Sequence, residues 1–241
     1  MCDDYKYAQE WDQSAQRFYN QGDYDWLAEQ LNGYTTILEL GCGTGQSTVA
    51  LLKQNHKVIA VDKNPDCLDL AETLLYSSSI SSAQKSNLLE FVEADYADGN
   101  FVSSFLPQHN FDMIACWNVG TAGDANIVTE YPEIFAHFGF SKEDIHCNPS
   151  KAYNDAMTLF VCLVGRRTNT PVNIVFRSPT DITPEIKEYF SNIKDMMEFN
   201  AFIIDSRKTT SLSEGGKLLS INSQVSHNHA MDLFLISVTL T

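Results

Sequence analysis

The chain has 241 residues, 44% hydrophobic and 20% charged, a globular composition long enough to bury a core without disulfides or a structural metal. Asp and Glu number 31 against 16 Lys and Arg, and the formal charge of −15 repels phosphate backbones and anionic lipid, which disfavours nucleic-acid and membrane partners. No apolar run reaches the roughly 20 residues of a membrane span, the acidic start Met1-Cys2-Asp3-Asp4 lacks a signal peptide's apolar stretch, and six scattered cysteines without a CxxC pair read as reduced thiols, so the expected location is cytoplasmic.

Residues 1–32 are crowded with aromatics, Tyr5, Tyr7, Trp11, Tyr19, Tyr24 and Trp26 among them, and read as a helical cap. Thr35 to Leu40 is a short buried strand bounded by Gly33 and Gly41, followed by a helix from Gly45 to Gln54 and a second strand from Lys57 to Asp62. Pro65 opens a helix whose buried face carries Cys67, Leu68, Ala71 and Leu75. The serine-rich stretch Ser77 to Ala83 reads as a surface loop. Leu88 to Asp95 is a third strand, Phe101 to Leu106 a short helix ended by Pro107, and Phe111 to Trp117 a fourth strand. Residues 122–150 mix Gly, His and aromatics and read as an insertion beside the strand ends. A long helix from Ser150 to Thr168, a strand from Val172 to Arg177 and an amphipathic helix from Pro184 to Phe199 follow. Phe202 to Ile204, Lys217 to Val225 and Leu233 to Leu240 read as strands, with a turn at Gly215-Gly216. This alternation predicts one α/β domain over 1–241: a doubly wound, mostly parallel seven-stranded sheet with antiparallel C-terminal strands.

The chemistry concentrates in Ile37-Leu38-Glu39-Leu40-Gly41-Cys42-Gly43-Thr44-Gly45, a strand that runs into three alternating glycines and then a helix. Glycines there permit positive φ and let a ligand lie against bare backbone. Asp62 ends the next strand, where a carboxylate accepts hydrogen bonds from a ribose diol. The dinucleotide spacing GxGxxG fails, because the sixth position from Gly41 is Gln46. Glu39 lies inside the first strand, two residues before the loop, a placement that suits a cationic ligand better than a pyrophosphate.

On these residues the chain resembles the class I methyltransferases that use S-adenosyl-L-methionine (SAM), with a Rossmann-like methyltransferase fold. Glu39 to Gly45 looks like their first motif, and Val58 to Asp62 like the next, whose acid takes the ribose hydroxyls. Glu93 to Phe101 is similar to the stretch where an Asp, here Asp95, holds the adenine amino group; Tyr96, in place of the small residue common there, would stack on adenine. Phe111 to Asn118 resembles the fourth-strand motif, which ends beside the transferred methyl. The resemblance implies SAM as cofactor, with Glu39, Gly41, Cys42, Gly43, Gly45, Asp62, Lys63, Asp95, Tyr96, Trp117 and Asn118 around it. It also implies that the segment Trp11 to Tyr19 caps the cofactor, with Tyr7, Trp11 and Tyr19 shaping the acceptor pocket. No Pro-Pro-Tyr or Pro-Pro-Phe follows Trp117-Asn118, which argues against the amino-group methylases that act on bases and glutamine.

The implied reaction is in-line displacement at the sulfonium methyl, onto nitrogen or oxygen of a small molecule. Alternatives are a protein methyltransferase that draws a basic segment to its acidic surface, or a non-catalytic SAM-binding partner subunit. No general base stands out; His137 and His146 lie in the insertion and are the weak candidates. His227 and His229 share a strand face without accompanying ligands, so no metal site is expected. The chain is expected to act as a monomer or homodimer.

Overall fold

The computed structural model describes residues 4–117, 131–212 and 230–241. The sheet is built from β1 (Thr36–Leu40), β2 (Lys57–Asp62), β3 (Leu89–Glu93), β4 (Met113–Trp117), β5 (Val172–Ser178), β6 (Phe202–Leu212) and β7 (Ala230–Leu240). Among the described residues it has seven strands in the order β3-β2-β1-β4-β5-β7-β6. The first five run parallel, and β7 is antiparallel to both β5 and β6. This is the expected α/β architecture.

Both faces of the central strands are apolar because helices cover both. Leu38, Leu40, Ile59, Val61, Ile114 and Cys116 face one core, with the helices α8 (Pro149–Thr168) and α9 (Thr183–Met196) over it. Ile37, Val58, Ala60, Met113, Ala115 and Trp117 face the other, under α1 (Asp4–Asn20), α2 (Asp23–Gln30), α3 (Gln46–Lys53) and α4 (Pro65–Ser77). The chain runs outward from β1 to β3, then returns to add β4 on the other side, so the strand order reverses at β1 and β4. Open α/β sheets bind ligands at the carboxyl ends of the strands flanking such a reversal.

The structure departs from the sequence reading in three places. The serine stretch is mostly helical at its ends: α4 runs to Ser77, and α5 (Ser82–Leu88) begins behind a reciprocal cap in which Ser81 Oγ accepts from Gln84 N–H and Ser81 N–H donates to Gln84 Oε1. Pro107 does not end the turn after β3; a π turn at Phe101–Phe105 passes into a 3₁₀ turn at Leu106–Gln108 that contains it. β6 is 11 residues long where three were expected, because Asp205, Ser206, Arg207 and Lys208 carry no apolar alternation yet pair with β7 throughout. In the insertion, α6 (Pro132–His137) and α7 (Lys142–Cys147) form; its residues 122–130, the expected strand Lys217 to Val225 and its turn lie outside the described residues.

The polar end of β6 docks on the corner between α1 and α2. Arg207 donates to the carbonyls of Gln21 and Gly22 and pairs with buried Asp23 at 3.1 Å, while Thr209 Oγ1 donates to Asp23 Oδ2 at 2.5 Å. Burial raises the Asp23 pKa, and Thr209 and Arg207 oppose the shift. On the same side of the sheet, fully buried Asn173 joins three strands: it accepts from Trp117 Nε1–H at 2.5 Å and donates to Ser237 Oγ and Thr239 Oγ1 at 2.9 and 2.8 Å. Asn173→Leu would strand an indole N–H and two hydroxyls, a loss of about 3 kcal/mol by the usual cost of unmade buried hydrogen bonds. Urea denaturation is expected to show that loss with an unchanged m value, whereas a shift below about 0.5 kcal/mol would mean that the hub is dispensable.

Candidate functional site

The glycine loop is held by the neighbouring strand tip. Gly41, Gly43 and Gly45 have φ of 74°, 54° and 88°, the left-handed region that side chains avoid. Gly41 and Cys42 N–H both donate to the Val61 carbonyl, at 2.8 and 3.0 Å. Gly43 N–H donates to Asp62 Oδ2 at 2.8 Å, and Asn64 N–H donates to Oδ1 at 2.9 Å. Burial raises the Asp62 pKa, and these backbone donors counter it. A Cβ on Gly45 would come 2.8 Å from Ala71 Cβ, so that glycine lets α4 pack onto the loop. A Cβ on Gly43 would come 2.4 Å from Trp11 Nε1. The bare backbone at Gly43 therefore receives the indole of α1. That helix is tied down again where Gln46 Nε2 donates to Asp12 Oδ1 at 2.7 Å, with Gln46 Oε1 accepting from Thr44 Oγ1 at 2.8 Å.

Three carboxylates stand at or just beyond successive strand ends. Glu39 is 2% exposed; Thr48 Oγ1 donates to its Oε2 at 2.6 Å, and among the described residues its Oε1 has no hydrogen-bond partner. Burial pushes its pKa up to about 7, the Ser47 and Thr48 hydroxyls pull the other way, and the Asp62 charge adds to the rise. Asp95, past β3, accepts from Ala97 N–H at 2.9 Å and from the Tyr131 hydroxyl at 2.5 Å. Lys63 Nζ donates to that same hydroxyl at 2.7 Å and lies 3.9 Å from Asp95. A buried acid with an open oxygen, beside two more acids, repels phosphate and suits a ligand that brings a cation, N–H groups and a diol. The residues therefore fit SAM.

The remaining predicted residues divide between the site and the packing around it. Tyr7 and Trp11 of α1 gather near Arg177 at the end of β5. Tyr19 lies eight residues, about 12 Å, further along the helix, its ring 4.5 Å from Lys53 at the far end of α3. Cys42 is buried in the loop, where burial, Asp62 and Glu39 raise its thiol well above the usual range. Tyr96 is buried and tilted against Phe160. Trp117 is buried, with its N–H given to Asn173 and its ring stacked on Tyr24. His137 and His146 are exposed, and Asn118, His227 and His229 lie outside the described residues. Among the described residues no cluster of His, Cys, Asp or Glu could hold a metal ion, and no helix is long and apolar enough to cross a membrane. The sequence reading missed Tyr131, which sits in a segment without periodicity, and Arg177, whose signal was a charge at the tip of the strand Val172–Ser178.

Fold and site together are an open α/β sheet with an acidic crevice at the carboxyl ends of its strands. Residues 37–137 match the family described as Methyltransferase domain. Over 70 residues the chain is 37% identical to the Cypemycin N-terminal methyltransferase of a Streptomyces species, a stretch that spans 29% of this chain and 25% of that relative. Two crystal structures of the methyltransferase domain of bacterial CtHen1 share the fold, each with a TM-score of 0.50 at 13% identity over 92% of this chain, covering 100% and 98% of theirs.

The raised pKa of Glu39 has a consequence for stability. An acid whose folded value lies above its ordinary one contributes stability that is fully present below about pH 4.5 and is lost as the pH rises through 7. Glu39→Gln removes that dependence. Relative to the natural chain, the variant is expected to gain stability progressively between pH 4 and 8, by up to about 3 kcal/mol, since each pKa unit is worth about 1.4 kcal/mol. Paired urea titrations across this range test it, and a difference that stays constant with pH would show that Glu39 is not raised.

Proposed function

We propose that the chain is a SAM-dependent methyltransferase that transfers a methyl group to nitrogen or oxygen of a small-molecule acceptor. The observation that carries this reading is the arrangement of Glu39, Asp62 and Asp95 around the glycine loop, with the Glu39 Oε1 atom left open. The cofactor supplies a methyl group on a sulfonium, already activated for displacement. In this reading Asp62 takes the ribose diol with the lone pairs not used by Gly43 and Asn64, and Glu39 faces the cationic amino-acid end. Asp95 takes the adenine amino group, which requires the Tyr131 hydroxyl to give way. Trp11, seated on Gly43, excludes water from the loop, so the protein contributes alignment and a dry site more than acid–base chemistry. An amine acceptor needs no dedicated base once deprotonated, which agrees with the exposure of His137 and His146. The formal charge of −15 disfavours a nucleic-acid substrate.

A peptide acceptor is the second reading. The relative that is 37% identical over 70 residues is named as an N-terminal methyltransferase, and an acidic surface would attract a basic segment. Turnover on a peptide that falls steeply with salt, together with none on small amines, would favour it.

Calorimetry tests the cofactor assignment directly: SAM and S-adenosylhomocysteine are expected to bind and NADH is not. Asp62→Asn keeps the shape of the side chain and removes its charge, and is expected to weaken S-adenosylhomocysteine binding by about 1–3 kcal/mol, the range for lost charged hydrogen bonds. NADH binding in place of SAM would overturn the assignment. Full cofactor affinity in a folded Asp62→Asn protein would remove Asp62 from the ribose. Incubation with SAM and a panel of amines, hydroxy compounds and short peptides, read by S-adenosylhomocysteine release and by mass spectrometry of the product, identifies the acceptor.

A further inference from the structure

Arg177 stands apart from the other charges of the site. β5 pairs with β4 so that Val175 lies opposite Trp117, the last residue of β4. Arg177 is two residues further on, beyond the tip of β4 and on the carboxyl side of the sheet. It is two strands away from β1, roughly 10 Å at the usual strand spacing. Its guanidinium carbon lies 5.4 Å from the ring centre of Trp11 and 5.7 Å from that of Phe18. Tyr7 and Tyr24 are also close enough to favour its charged form, against a burial that lowers its pKa.

Aromatic faces stabilise a guanidinium from above and below but leave its in-plane N–H donors unused. Among the described residues, Arg177 makes no hydrogen bond and no ion pair. The acids on nearby elements are committed elsewhere: Asp12 accepts from Gln46, Asp23 holds Arg207 and Thr209, and Glu10 pairs with Lys6. Arg207 shows how this chain satisfies an arginine that has only structural work, with one carboxylate and two carbonyls. A partly buried guanidinium with an open fork is matched by a planar carboxylate, which accepts two parallel N–H bonds. The site is thereby polarised. The acids lie at the ends of β1, β2 and β3, and the Arg177 guanidinium lies at β5. The Trp11 indole touches Gly43 and also carries the Arg177 guanidinium near its ring, so it stands between the glycine loop and the cation.

We propose that Arg177 determines acceptor specificity by binding a carboxylate group of the methyl acceptor, in an aromatic box formed by Tyr7, Trp11, Phe18 and Tyr24. This rests on the methyltransferase reading and narrows it to acceptors that carry a carboxylate beside the nitrogen or oxygen to be methylated. An acceptor docked this way enters from the β5 side, opposite to the acids assigned to the cofactor.

The test is calorimetry on the full chain saturated with S-adenosylhomocysteine, titrated with benzoate and with benzamide, which share shape and differ in charge. Benzoate is expected to bind at least about tenfold more tightly than benzamide, the scale of one bidentate charged pair. Arg177→Met is expected to erase that preference, and Arg177→Lys, which keeps the charge without the fork, to retain only part of it. S-adenosylhomocysteine affinity is expected to stay within about twofold in both variants, with melting curves confirming that they fold. Equal binding of benzoate and benzamide, or no binding of either, overturns the proposal. So does a preference for benzoate that survives in Arg177→Met. A loss of S-adenosylhomocysteine affinity of about tenfold in folded Arg177→Lys and Arg177→Met also overturns it, because the guanidinium would then serve the carboxylate of the cofactor. Failure of the natural chain to bind S-adenosylhomocysteine at all is a different result: it removes the methyltransferase reading, and the proposal falls with it.

Discussion

The hydrogen bond from Gly43 N–H to the Asp62 carboxylate is the constraint on which the site depends. It crosses from the tip of β1 to the tip of β2, at 2.8 Å, and holds the loop in a conformation that only glycine adopts freely. Burial alone would favour a neutral Asp62, and the backbone donors of Gly43 and Asn64 offset that cost. With the loop so held, α4 packs against Gly45, Trp11 lies on Gly43, and Glu39 is enclosed behind them with one oxygen open. A carboxylate that is enclosed, near neutrality in its titration and short of one partner is costly in a resting protein. Such a group is expected where a ligand completes the bonding.

The second organising feature is the attachment of the N-terminal helix. Asp12 and Gln46 secure it to the start of α3, and Arg17 donates to Thr210 of β6 at 2.8 Å. Arg207 reaches the corner just beyond it. One helix therefore touches both the glycine loop and the antiparallel end of the sheet, and it carries Trp11 and Phe18 to Arg177. The same polar contacts explain why β6 runs long: its charged residues are satisfied by the helix corner and by β7 rather than by water alone. Trp117, by contrast, is committed to the Asn173 hub and to Tyr24, which gives it a structural task whatever else lies beside it.

The order of elements, the parallel core of the sheet and the glycine loop were legible in the sequence, because each rests on local information. Buried parallel strands read as continuous apolar runs, and glycine at alternate positions after a strand leaves few other conformations. Asp62 and Glu39 were legible for the same reason, being counted from the loop. The helix at Ser82–Leu88 was missed although its cap, Ser81 with Gln84, was present in the sequence, since composition outweighed the capping signal. β6 was read too short because its pattern is set by partners far along the chain.

What only the tertiary structure decided is which distant side chains meet. Nothing in residues 1–32 separates Trp11, which lies on the glycine loop, from Tyr19, which lies on Lys53 at the other end of α3. Nor does the strand Val172–Ser178 reveal that Arg177 is enclosed by aromatics from α1 and α2 and, among the described residues, pairs with no acid. The sequence by itself determined the fold class and the acidic residues at the glycine loop, because period and turn chemistry act over a few residues. The pairing of Tyr131 with Asp95 and Lys63, and of Trp11 with Arg177, depends on how helices seat on the sheet, and that is settled by packing across the whole chain.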